Sequence, residues 1–193
     1  HAFISVAPWF LFFVAIEHLG KTELAISNIT RSVSAIFFVI ANSFAVTTSS
    51  LVSNAIGARA RNELFPICHK VLKLGYAVGI PFVVVALLCN RWIVSFYTDN
   101  ELLIELAFAP FVVMLLNYTF ALPGYVYLNA VGGTGKTKIT FLFQVTTTCV
   151  YLVYLHWLSF CIKASLSLYL TAEYLFVILL ALQSIIHLKS KHY

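Results

Sequence analysis

The sequence predicts an all-α polytopic membrane protein in which six helices form one transmembrane bundle. Of the 193 residues, 61% are hydrophobic and only 10% are charged, whereas an average soluble domain carries about 25% charged residues. The mean hydropathy of +0.94 indicates the same class. A spanning helix needs roughly 20 mainly apolar residues, and six such runs with short loops use nearly the whole chain. Residues 1–193 are therefore predicted to form a single membrane domain without extramembrane mass.

The first predicted span covers about residues 1–19 and is short. Its apolar run, 2–16, leads into a polar exit that contains Glu17 and Gly20, and glycine commonly ends helices. The chain starts with His1 next to this run and has no basic leader, so the sequence does not predict a signal peptide. We interpret the chain as a fragment, or a processed piece, that begins partway through its first helix.

The second predicted span, residues 24–57, is the longest and carries polar side chains at intervals within an apolar run. A helix that faced lipid on all sides would not carry them, because polar groups in hydrocarbon are costly. We expect one side of this helix to face other helices or a water-filled cavity. The polar residues are Asn28, Arg31, Asn42, Thr47, Thr48, Ser49, Ser50 and Asn54.

Four further spans complete the predicted bundle, at about 71–97, 102–131, 139–162 and 166–188. Pro81 lies in the third span, and neighbouring groups can satisfy the backbone that a proline frees in a membrane helix. Pro123 in the fourth span predicts a kink, because the proline ring removes a donor and clashes one turn back. We found no strand alternation long enough to favour a barrel.

The charged residues of the loops divide unevenly between the two sides that this span count creates. Lysine and arginine favour the cytoplasmic side, which predicts that the C-terminus and the loops after the second and fourth spans are cytoplasmic. That side holds eight of the 12 basic residues: Arg59, Arg61, Lys70, Lys73, Lys136, Lys138, Lys189 and Lys191. The other side holds Lys21, Arg91 and Lys163, together with Glu17, Glu23, Asp99 and Glu101.

Arg31 is the one permanent cation that these spans place at membrane depth. A charge there costs from about 2.5 kcal/mol to more than about 10 kcal/mol, so Arg31 faces a cavity, pairs with an acid or snorkels outward. Glu105 and Glu173 are candidates for an ion pair on the outer side. The alternative for each is an interfacial acid near a helix N-terminus, which the helix dipole favours.

Six polar residues are candidates for lining a substrate cavity. They lie on the second and fourth spans, and some of them lie near the middle of the membrane. For a membrane amide, the alternative role is a hydrogen bond between helices, typically worth about 0.6 kcal/mol. The candidate residues are Asn28, Arg31, Asn42, Thr47, Asn117 and Tyr118.

Other functional classes find little support in the sequence. The four cysteines lie far apart, which predicts neither a metal site nor a disulfide framework. The turn at 130–137 departs from a phosphate-binding loop at Ala130, and apolar spans flank it where that loop requires a strand and a helix.

We predict no enzyme, no catalytic residue and no cofactor. The net charge of +5 comes from scattered loop residues and does not indicate a nucleic-acid partner.

Five stretches, in this order and spacing, resemble the C-terminal half of multidrug and toxic compound extrusion (MATE) transporters. They are residues 12–20, 24–29, 51–57, 96–99 and 133–137. The resemblance implies a six-helix lobe of a twelve-helix transporter, with an N-terminal six-helix half missing from this chain. It also implies export of organic, often cationic, compounds from the bacterial inner membrane in exchange for sodium ions or protons.

The chain departs from this family pattern at its carboxylates. Some members carry a coupling acid in the seventh helix, which is either upstream of His1 or replaced by apolar residues here. Some carry another in the tenth helix, which corresponds to a position near Ala121. The resemblance therefore leaves this lobe without its usual cation site and leaves the coupling ion open.

Three alternative functions remain at the level of sequence. A lipid-linked oligosaccharide flippase of related architecture would call for more cavity cations than Arg31 alone. A non-transporting membrane subunit would only pack against partners. An ATP-driven enzyme would depend on Lys136 in the glycine-rich turn.

Overall fold

The computed structural model describes residues 2–17, 19–162 and 165–190, with side chains from residue 6 onward. The sequence-based positions His1, His18, Lys163 and Lys191 lie outside them. The described residues form nine α-helices and one 3-10 turn, Arg61–Glu63. The helices are α1 (Ala2–Glu17), α2 (Lys21–Gly57), α3 (Leu64–Leu88), α4 (Asn90–Ser95), α5 (Glu101–Leu106), α6 (Phe108–Leu116), α7 (Tyr118–Gly133), α8 (Thr137–Phe160) and α9 (Leu166–Ser190).

The predicted all-α membrane class is confirmed. Five helical stretches are long and apolar enough to cross a bilayer: Lys21–Gly57, Arg61–Leu88, Glu101–Gly133, Thr137–Phe160 and Leu166–Ser190. The helix α1 is apolar as well but has only 16 residues. Large apolar side chains point outward from the bundle, as Leu88, Phe96 and Ile186 illustrate. Lipid is the surrounding that such a surface requires, because lipid does not penalise exposed hydrocarbon.

The long helix α2 organises the bundle, because it packs most extensively on α7 and also contacts α3, α6 and α1. Small residues allow these close contacts. A Cβ added at Gly133 would lie 2.6 Å from the carbonyl oxygen of Ser49 on α2. A Cβ at Gly124 would lie 2.7 Å from the carbonyl oxygen of Val177 on α9. Glycine thus sets the distance between α7 and both of its main neighbours.

The helical regions differ in detail from the predicted spans. The helix α3 begins at Leu64, seven residues before the predicted start, and the region after it is interrupted at Cys89. The fourth predicted span consists of three helices, which meet at Ala107 and Asn117. Pro123 lies inside α7, so the interruption at Asn117 comes six residues before this proline.

Candidate functional site

A buried ion pair joins α2 to α9. Arg31 is only 3% exposed, and its Nη2 lies 2.7 Å from Oε1 of Glu173. Glu173 is 14% exposed, so neither charge is well hydrated. Hydrogen bonds between ionised groups are stronger than neutral ones, and such a pair must compensate for the hydration that both groups lose. The fold therefore places opposite charges together at a point where either one alone would be costly.

Aromatic rings from α1 surround the guanidinium of Arg31. Its Cζ lies 4.0 Å from the ring centroid of Phe12, 4.9 Å from that of Trp9 and 5.2 Å from that of Phe13. Its Nε and Nη1 are buried, and no described residue accepts a hydrogen bond from them. The ring faces stabilise the cation through their quadrupoles, an interaction worth about 2 kcal/mol in a desolvated setting. Arg31 thus connects α1 to α2 and, through Glu173, to α9.

Tyr151 adds a third polar group from α8. Its hydroxyl donates to Oε1 of Glu173 at 3.1 Å, so this carboxylate oxygen accepts hydrogen bonds from both Arg31 and Tyr151. Tyr151 is 1% exposed, and a buried phenol normally finds such a partner. The cluster of Arg31, Glu173, Tyr151 and the three α1 rings, the Arg31 cluster from here on, connects α1, α2, α8 and α9.

Two neighbouring cavities lie beside the Arg31 cluster. The smaller, of about 60 Å³, is lined by Arg31 and Glu173 themselves, and the larger has a volume of about 430 Å³. Both share Trp9, Phe38 and Tyr125 as lining residues, so aromatic side chains separate them. The larger cavity has four polar lining residues besides Tyr125, and they come from α2, α7 and α8: Asn42, Asn129, Gln144 and Thr148.

The structure brings most of the candidate cavity residues to these two spaces. Arg31, Asn117 and Tyr118 line the smaller cavity, and Asn42 lines the larger. Asn28 and Thr47 line neither of the two cavities, and both are exposed. The Thr47 hydroxyl instead donates to the carbonyl oxygen of Ser43, one turn earlier in α2, at 2.9 Å.

The two candidate acids separate clearly in space. Glu173 lines the smaller cavity beside Arg31. Glu105 lies 3.7 Å from Arg91, in a pair whose side chains are 67% and 75% exposed. A surface pair of this kind contributes little to stability, and it lies apart from Arg31.

Tyr118 also has a structural role. Its hydroxyl donates to the carbonyl oxygen of Gly75 on α3 at 2.8 Å, and its ring occupies the space that a Cβ at Gly79 would need. Asn117, at the junction of α6 and α7, has a buried Oδ1 that accepts no hydrogen bond from any described residue.

Several lining residues did not emerge from the sequence. Gln144 and Thr148 could have been found, because they are the first and last residues of a polar stretch inside an apolar run. They lie one turn apart and therefore on one face of α8. Trp9 and Tyr125 had no such signal, because aromatic residues make up 16% of the chain. Tyr151 lines neither cavity and belongs to the site only through its hydrogen bond to Glu173.

The glycine-rich turn forms no phosphate cradle in this fold. Residues 130–133 belong to α7, and α8 starts at Thr137, so two helices flank the turn where a strand and a helix are required. Throughout the described ranges, no three His, Cys, Asp or Glu side chains come together in a way that could hold a metal ion. Polar groups and aromatic faces around a cavity provide the chemistry of non-covalent ligand binding.

Known proteins resemble this chain in sequence pattern and in fold. The family model MatE matches residues 3–158. A solved protein described as "Crystal structure of MATE in the bent conformation" superposes with a TM-score of 0.81 over 94% of this chain, at 18% identity. The matched region is 40% of that protein, so the chain spans about two fifths of its length. At this identity the likeness shows the fold, and no curated protein matches the chain.

Proposed function

The chain belongs to the MatE family of membrane transporters, and from this membership we propose that it forms one lobe of a secondary antiporter. The antiporter exports small organic compounds, xenobiotics among them, in exchange for sodium ions or protons. The chain corresponds to the C-terminal six-helix half, and an N-terminal half completes the transporter. The match to 40% of a solved family structure supports the assignment to one half, and the order of the motifs in the sequence favours the C-terminal one.

The observation that carries the proposal is the larger cavity. It occupies about 430 Å³ between apolar helices and presents amide, hydroxyl and aromatic groups. Cavities of this size and composition bind small molecules in many proteins. In transporters built from two repeated halves, rocking of one bundle against the other exposes such a site to each side in turn.

We place the coupling site in the N-terminal half. Ala121, near the position where some relatives carry an acid, lines the smaller cavity but has no ionisable group. Among the described lining residues of both cavities, Glu173 is the only carboxylate, and it is already paired with Arg31. A sodium ion or proton therefore finds no unpaired acid in this part of the lobe.

The proposed location is the bacterial inner membrane, with several spans and a cytoplasmic C-terminus. The basic segments that follow α2 and α7 support this orientation, because basic residues prefer the cytoplasmic side. These segments contain Arg59, Arg61, Lys136 and Lys138. The flippase alternative is less well supported, because Arg31 is the only cation among the described residues that line the two cavities.

The test is substrate-dependent ion flux by the complete transporter in lipid vesicles. An antiporter moves sodium ions or protons when substrate is added, and collapse of the corresponding ion gradient stops export. A non-transporting subunit gives no flux under either condition. A flippase moves lipid-linked oligosaccharide instead, and ATP dependence that disappears in Lys136→Ala would favour the enzyme.

A further inference from the structure

We propose that the cavity of this lobe selects uncharged aromatic compounds, in contrast to the organic cations expected from the family resemblance. The inference rests on the proposed function, in which the cavity holds the transported compound. It follows from three features of the site: the balance of its charges, the occupant of its cation-binding groups, and the side chains that remain free to contact a ligand.

The charges around the two cavities sum to zero. Arg31 and Glu173 are the only charged side chains among the described residues that line them, and the two are 2.7 Å apart. At a distance their fields largely cancel, because opposite unit charges so close together act as a dipole. An ion that enters the larger cavity loses hydration without finding a net opposite charge, whereas an uncharged compound has no such loss.

The groups that would recognise an organic cation are already occupied by Arg31. A carboxylate, a phenol and aromatic faces are the usual partners of an organic cation. In this lobe Glu173 accepts a hydrogen bond from the guanidinium of Arg31, and the rings of Phe12, Trp9 and Phe13 surround that guanidinium. The Tyr151 hydroxyl donates to the same carboxylate of Glu173. Arg31 belongs to the chain and already fills this cation-binding site. A cationic ligand would have to displace its side chain, so Arg31 excludes cations.

The side chains that remain suit an uncharged ring system with a hydrogen-bond donor. Phe38, Tyr125 and Phe176 line the larger cavity with aromatic surface. The Gln144 Oε1 and Thr148 Oγ1 atoms are buried, and no described residue forms a hydrogen bond with them. Since buried polar atoms usually have partners, a ligand N–H or O–H group supplies the missing donor.

A matched ligand pair tests the charge preference on the wild-type protein. Acridine and N-methylacridinium share one ring system, and at mildly alkaline pH only the second carries a charge. Binding to the complete transporter in lipid nanodiscs is followed by ligand fluorescence, with empty nanodiscs as the control for partitioning. We expect acridine to bind about tenfold more tightly or better. Tighter binding of N-methylacridinium that is lost in Glu173→Gln would overturn the inference.

Charge variants extend the test, since the preferred ligand charge should follow the charge of the pair. Arg31→Gln leaves Glu173 unpaired and should shift the preference to N-methylacridinium. Glu173→Gln leaves Arg31 unpaired and should shift it to acridine-9-carboxylate. The double variant Arg31→Gln/Glu173→Gln lacks the carboxylate as well as the arginine, so it should bind N-methylacridinium more weakly than Arg31→Gln does. It leaves no buried charge without a partner, which makes it the better folded reference, and binding of N-methylacridinium as tight as in Arg31→Gln would contradict the inference.

A second matched pair tests the donor site. Acridone carries a ring N–H group that N-methylacridone lacks, and both are uncharged. The wild-type protein should favour acridone, and Gln144→Leu should remove most of this advantage without weakening N-methylacridone. Equal binding of the two ligands to the wild-type protein would exclude Gln144 and Thr148 as the acceptors.

Different experimental results would refute the proposed function and the preference for uncharged ligands. Absence of ion-coupled flux in the complete transporter, together with tighter acridine binding, would refute antiport alone. Ion-coupled flux together with tighter N-methylacridinium binding would refute the uncharged preference alone.

Discussion

The hydroxyl of Tyr76 donates to the backbone carbonyl oxygen of Thr119 at 2.6 Å. Thr119 is the residue four positions before Pro123, whose ring nitrogen has no hydrogen to donate back along α7. A side chain on α3 thus replaces the helical donor that the proline removes. This is the way in which neighbouring helices make proline tolerable inside a membrane.

Removing this hydroxyl should destabilise the bundle. Tyr76→Phe leaves the carbonyl oxygen of Thr119 without either donor, which should lower the free energy of unfolding by about 1 kcal/mol. Unfolding by denaturing detergent measures the effect. Tyr127→Phe is the control, since no described residue forms a hydrogen bond with the Tyr127 hydroxyl, and an equal loss there would show that the bond to Thr119 is not the cause.

Because the ion pair is buried, the single substitutions should cost more stability than the double substitution would suggest if their effects were additive. Arg31→Gln or Glu173→Gln alone leaves one charge buried without its partner, which should cost about 3 to 5 kcal/mol of unfolding free energy. The double variant should cost clearly less than the sum, because neither charge remains. A thermodynamic cycle over the four proteins measures the coupling.

The exposed pair provides the comparison for that cycle. Glu105→Gln removes a charge that is 67% exposed and 3.7 Å from Arg91, and it should change stability by less than about 0.5 kcal/mol. Additive effects of Arg31→Gln and Glu173→Gln, or a large effect of Glu105→Gln, would contradict the assignment of the buried partner.

Two adjacent glycines in α7 offer a matched test of close helix packing. A Cβ at Gly133 would lie 2.6 Å from the carbonyl oxygen of Ser49, whereas at Gly132 the nearest atom, Cγ2 of Thr140, lies 3.7 Å away. Gly133→Ala should force α2 and α7 apart and cost about 1 to 3 kcal/mol. Gly132→Ala should be neutral or slightly stabilising, because alanine favours helix. Thermal unfolding of both variants in one detergent decides between these expectations.

Glu173 should not be needed for ion coupling. In the complete transporter, Glu173→Gln should keep the response of transport to a sodium or proton gradient, while the ligands it accepts change. Glu105→Gln serves as the control, because it removes an acid on the same predicted side of the membrane. A Glu173→Gln transporter that still moves substrate but ignores both gradients would place the coupling site in this lobe.

Much of the fold could be predicted because long apolar runs reveal membrane helices in the sequence alone. The interruptions at Cys89, Ala107 and Asn117 were missed. Ala107 lies between apolar residues, and at the other two points only a short polar pair, 90–91 or 117–118, occurs inside a long apolar run. The sequence identified Arg31 and offered two partners for it. It did not distinguish Glu105 from Glu173, because Glu173 lies 142 residues away from Arg31 and only the packing of α2 and α9 on their common neighbour α7 brings the two together.

The proposed function places the transported compound in the larger cavity, so this cavity must be reachable from water in the complete transporter. Thr148 lines this cavity, and Val150, two residues later on α8, is 45% exposed on nearly the opposite helix face. With the native cysteines replaced by alanine, a water-soluble maleimide should label Thr148→Cys in the complete transporter much faster than Val150→Cys. Added transport substrate should slow the labelling of Thr148→Cys alone. Equal labelling of both positions, or labelling of Thr148→Cys that substrate leaves unchanged, would contradict the claim.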